Sequence, residues 1–153
     1  MVCRVILSIA VGLFTSSVVC NSRDEDARET LQYYLGIKEE RGNVFYQSRL
    51  DGINYKKLLR AAMNKDTESL RSLFEYSSNK NLMGEGAEDH VAILKALLCY
   101  LGDDLYSRAL RNASRKSRRQ VIAYLDEGFG KEDYSKNYPK TYAVWAHERF
   151  GKE

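Results

Sequence analysis

Residues 87–101 constrain the fold more tightly than any other stretch of this chain. Val91, Leu94, Leu97, Leu98 and Leu101 recur at intervals of three and four, which sets them along one stripe of an α-helix. Gly102 follows where a left-handed cap belongs. Such a helix is stable only against other elements, so the rest of the chain must supply packing partners. The flanking sequence repeats the pattern. Asn54 can cap a helix running to about Lys65 with Leu58, Leu59, Ala62 and Met63 inward. Asp66-Thr67 then caps a second, with Leu70, Leu73, Phe74 and Ser77 inside, and residues 77–86 form a polar connection. Asp103 or Asp104 caps a short helix ending near Arg111, and Ser114 opens another that buries Val121, Ile122 and Leu125 and closes at Gly128.

Residues 24–50 support two readings. Ala27, Leu31, Tyr34 and Leu35 have helical spacing behind an acidic start. Leu31–Lys38 and Val44–Arg49 could instead pair as a hairpin, because Gly42-Asn43 is a turn signal and Val44-Phe45-Tyr46 favours strand. The expected fold is therefore all-α, with about five or six short helices packed as antiparallel pairs and a small β-hairpin near residues 31–50. Its divisions are a leader over 1–22, an N-terminal segment over 23–52, a helical core over 53–128 and an aromatic, basic tail over 129–153.

The leader sets the expected location. Met1-Val-Cys-Arg4 is weakly basic, Val5 to Phe14 is almost wholly apolar, and Thr15 to Cys20 is rich in small residues. Asn21 onward is sharply polar. The apolar stretch of about 16 residues is shorter than the roughly 20 a bilayer span needs. The layout predicts an exported protein, periplasmic or secreted, with the leader cleaved near Ser17, Cys20 or Ser22. Lipidation of Cys20 is the alternative, and contact with a membrane is expected only through that lipid or an uncut leader.

Loss of Arg4 with the leader lowers the net charge from +3 to +2. A chain so near neutrality offers no general attraction for nucleic acid, and export argues further against it. Of three cysteines, Cys3 lies in the leader and the fate of Cys20 depends on the cut, so the core rather than crosslinks must hold the fold. Cys99, within Leu97-Leu-Cys-Tyr-Leu101, reads as a buried small apolar residue.

Leu58–Tyr76 and Tyr106–Tyr124 align at an offset of 48 residues, matching Ala61 with Ala109, Asn64 with Asn112 and Tyr76 with Tyr124. The run from Leu58 to Glu75 resembles the helix pair of an ankyrin repeat, with an Ala-Ala step before a short turn and a leucine pair after it. The Thr-Pro-Leu-His signature of that family does not occur. The resemblance implies helix-pair packing and a binding role.

No Gly-x-Ser-x-Gly elbow, phosphate loop or dinucleotide glycine pattern is present, so no catalytic residue is assigned. Glu85, Glu88, Asp89 and His90 cluster at a helix start, but the chain has only two histidines and no His-x-x-x-His or Cys-x-x-Cys spacing, so neither metal nor cofactor is expected. Two surfaces stand out. Arg108, Arg111, Arg115, Arg118 and Arg119 would span an arc of about 100° on one unbroken helix, a basic face suited to an acidic partner. Asn112-Ala113-Ser114 interrupts that helix. In the tail, Tyr138, Tyr142 and Trp145 share one side of a helix that Pro139 can begin. Either they cover the core, in which case Trp145 is buried, or they face a partner. The expected role is a non-enzymatic interaction or structural protein with a protein partner. The alternatives are a small envelope hydrolase using acidic residues such as Glu75, Glu85 or Glu88, and an inhibitor- or immunity-type binder.

Overall fold

The computed structural model describes residues 15–80, 82–129 and 131–150, with side chains for 24–80, 82–127, 129 and 134–148. The leader of residues 1–22 and the lipidation proposed for Cys20 lie outside the residues whose side chains are described. Among the described residues every regular element is an α-helix: α1 Thr15–Gly36, α2 Val44–Leu50, α3 Tyr55–Met63, α4 Thr67–Asn79, α5 Glu85–Leu101, α6 Asp103–Arg111, α7 Arg115–Phe129, α8 Lys131–Asn137 and α9 Pro139–Phe150. No described helix is long and apolar enough to cross a membrane.

Among the described residues nine helices replace the five or six expected, and the hairpin near 31–50 is absent. Residues 31–36 belong to α1 and 44–50 form α2. The turn signal at Gly42-Asn43 is a helix cap: the Asn43 side chain accepts from Tyr46 N at 3.0 Å and donates to Lys38 O at 2.9 Å. Val44, Phe45 and Ser48 then fall on the buried face of one helical turn, so tertiary burial overrides their strand preference.

The helices pack in pairs, α1 on α5, α3 on α4, α6 on α9 and α4 on α7, with α5 in the middle against α1, α2, α3, α6 and α7. That position widens its buried face beyond the expected stripe. His90, Ile93, Leu94, Ala96, Leu97 and Leu98 are buried, whereas Val91 and Leu101 at the edges are half-buried. The offset of 48 residues is visible at the turns, where Asn64 and Asn112 each end a helix and Asp66 and Ser114 each precede the next. The two units pack differently, however. α3 lies on α4, but α6 makes its main contacts with α9 and α4.

Three helices have N-terminal donors satisfied by carboxylates from distant sequence. Asp89 of α5 accepts from Val44 N at 3.2 Å, and Glu75 of α4 accepts from Ser114 N at 2.6 Å. Asp103 and Asp104, either of which was expected to cap α6, both lie in the first turn of that helix behind Gly102, and Asp103 caps α9 instead. It accepts from Lys140 N at 2.7 Å, Thr141 N at 2.7 Å and Thr141 Oγ1 at 2.6 Å. Each such contact satisfies orphan N–H groups and places negative charge at the positive end of a helix. Asp103→Ala should therefore cost about 1–2 kcal/mol in urea unfolding. It should also raise iodide quenching of Trp145 on α9, and unchanged quenching would show that this cap does not dock the helix.

Candidate functional site

The five arginines fall on two helices that meet at the Asn112–Ser114 turn, Arg108 and Arg111 in the last turn of α6 and the other three early in α7. Arg108, Arg111, Arg115 and Arg119 are exposed, and Arg118 is half-buried. Arg118 ties three helices together. Its Nε lies 2.5 Å from Glu148 Oε1 on α9, and its Nη1 donates at 3.3 Å to the carbonyl of Arg111, the last residue of α6, and at 2.7 Å to Ala113 O in the turn that follows. Glu148, with its side chain 7% exposed, also stands 3.6 Å from the Nε atoms of Arg115 and Arg119. One carboxylate thus serves three guanidinium groups.

Helix electrostatics sorts these cations by position. Arg108 and Arg111 sit at the negative end of α6, where cations stabilise a helix. Arg118 satisfies carbonyls. Arg115 and Lys116 stand in the first turn of α7, at its positive end, where a cation costs about 0.3–1 kcal/mol, and that turn has no acidic residue of its own to offset them; Arg119 follows one turn on. Glu75 of α4 relieves part of this cost. Besides Ser114 N, it accepts from Ser114 Oγ at 2.9 Å and Ser117 Oγ at 2.6 Å. Burial alone would raise its carboxyl, but these donors outweigh burial and hold it below the ordinary range. A carboxylate so engaged is a poor general acid. Glu85 and Glu88, the other acids considered for hydrolysis, are exposed in the first turn of α5.

Between α6, α7 and α9 lies a groove of about 370 Å³ lined by Arg111, Arg118, Ala143, Val144, His147 and Glu148. Its rim carries exposed Arg111 and His147, its wall is Ala143 and Val144, and its floor is the Glu148–Arg118 pair. Lys116, His147 and Glu148 were not singled out from the sequence. Lys116 and His147 show no helical spacing with a charged partner, and Glu148 lies 30 residues from Arg118.

The aromatic residues of the tail point inward. Tyr138 and Trp145 are buried, Trp145 only 4% exposed, and half-buried Tyr142 stacks on Trp145 with centroids 4.8 Å apart. Tyr138 Oη lies 3.0 Å from Cys99 Sγ, itself half-buried. Tyr138 and Trp145, with Tyr142 stacked on Trp145, therefore fasten α9 to the core.

His90 is fully buried, not a surface ligand. Its Nδ1 lies 2.6 Å from the Tyr55 hydroxyl, and the rings of Tyr55, Tyr76 and Tyr124 surround it edge-on. Desolvation lowers its pKa to about 3. Among the described residues, no group of three or more His, Cys, Asp or Glu side chains is gathered as a metal site would need. Compared with known families, curated proteins and solved structures, the chain matches none.

Proposed function

We propose that this chain is exported and acts as a non-enzymatic interaction protein whose working surface is the basic face of Arg108, Arg111, Arg115 and Arg119. One observation carries the reading. Arg115 and Lys116 stand in the first turn of α7, where the helix dipole disfavours cations, and exposed Arg108, Arg111 and Arg119 gather with them around the α6–α7 turn. A cluster of cations kept where the helix disfavours some of its members supports a role beyond folding. The partner is an acidic protein. An inhibitor- or immunity-type role is a narrower form of the same reading, with a single tight partner.

Replacing Arg108, Arg111, Arg115 and Arg119 with serine should abolish binding of polyglutamate and polyphosphate probes at low salt while leaving the circular dichroism spectrum intact. Wild-type binding should weaken steeply as salt is raised. Failure of the wild type to bind any anionic probe would remove the basic face from consideration. Export has its own test in the N-terminal sequence of the protein recovered from its native cell. A start between residues 18 and 23 is expected, and an intact Met1 in the cytosolic fraction would overturn it.

A further inference from the structure

Resting on the assignment of the basic face as the working surface, we infer that the groove between α7 and α9 takes an acidic peptide segment of a partner protein. A carboxylate of that segment sits against Arg111 and His147, and an adjacent aliphatic side chain sits against Ala143 and Val144. Charge complementarity selects the carboxylate: Arg111 and Arg118 flank the groove, and Arg115 and Arg119 stand beside it around the same Glu148. The wall selects the neighbour. Exposed Ala143 presents its methyl group, with buried Val144 behind it, and a purely charged ligand would leave this apolar patch against water or desolvate itself over it without return.

The floor argues against a polyanion. The Glu148 carboxylate sits at the base of the groove and repels closely spaced phosphates or sulfates, whereas a peptide can place one carboxylate at the rim and an apolar group over the wall. The volume, about 370 Å³, also suits a few side chains and not a continuous charged track. Glu148, with three arginine neighbours, already shows how these cations hold a carboxylate.

Fluorescence anisotropy with labelled peptides of about ten residues would test this, one alternating Glu and Leu, one alternating Glu and Ser, with polyphosphate as the competing polyanion. The Glu/Leu peptide should bind at least about tenfold more tightly than the Glu/Ser peptide. Ala143→Trp, at an exposed position, fills the groove and should weaken the Glu/Leu peptide at least about tenfold while sparing polyphosphate; Arg111→Ser should weaken both. Equal affinity for the two peptides, or indifference to Ala143→Trp, would overturn the groove while leaving the basic face as a working surface. If neither peptide nor polyphosphate binds, the groove and the basic face fall together.

Discussion

Trp145→Ala should lower the free energy of unfolding by about 3–5 kcal/mol, the range for removing a large buried aromatic ring. Trp145 is 4% exposed and stacked on Tyr142, on a helix that packs against α6, α7 and α8. Its loss leaves a cavity where α9 meets the core and takes away the ring on which Tyr142 rests. Against a typical total of about 5–15 kcal/mol, that is a large fraction of the stability of a domain this size. Urea unfolding followed by far-ultraviolet circular dichroism measures it directly. The wild type offers a second check, because Trp145 is the sole tryptophan of the chain. Its emission should be blue-shifted and resist iodide until the protein unfolds. A cost below about 1 kcal/mol, with a readily quenched indole, would mean that α9 is not docked and would reopen the tail as a partner surface.

Helices and caps whose signals lie within one turn were legible in the sequence. Asn54 and Asp66 accept from backbone N–H groups two or three residues ahead, so identity and position suffice to locate α3 and α4. Pro139 likewise begins α9. What stayed hidden depends on distant residues. Asn43 looked like a hairpin turn because nothing local reveals that Val44 and Phe45 would be buried against α5 and α3, or that Asp89 would take the Val44 N–H. Asp103 has the right type and place to cap α6, but its carboxylate turns 37 residues downstream to Lys140. The basic face was legible as a cluster, because arginines three and four apart are neighbours on any helix. Its geometry was not, since Glu148 enters from α9.

Glu148 and Glu75 show how the basic face is accommodated. Each brings a carboxylate to α7 from another helix, one to the arginine side chains and one to the first backbone N–H groups. Glu75 answers the helix dipole, and Glu148 pairs most closely with Arg118 and stands beside Arg115 and Arg119. Arg108, Arg111, Arg115 and Arg119 keep exposed positions above these supports, and Arg111 among them lines the groove.

Below pH 6.5 the wild type should lose stability at up to about 1.4 kcal/mol per pH unit, because folding holds His90 neutral. Burial depresses the pKa of this histidine to about 3 in the folded protein, against about 6.5 in an unfolded chain. The unfolded state thus binds the extra proton throughout the window from about 6.5 to 3. The stability associated with neutral His90 is complete above that window and drains away as pH falls through it. Tyr55 sharpens the effect. Burial keeps its hydroxyl protonated well above the usual range, and its Oη lies 2.6 Å from Nδ1, while the Nε2 of the same ring has no hydrogen-bond partner among the described residues. A doubly protonated ring would put a charge and an unmatched N–H inside this closed surround. Between pH 6.5 and 5 the loss should be about 1.5–2 kcal/mol, above the range where most carboxylates titrate. His90→Asn keeps an acceptor near the Nδ1 position and cannot titrate. It should lower stability at pH 7 by about 1–3 kcal/mol, through the smaller side chain, yet show a flat profile from pH 6.5 to 5 in urea unfolding. Equal slopes for the two proteins would mean that His90 is hydrated in solution and that the closed aromatic surround of Tyr55, Tyr76 and Tyr124 does not hold.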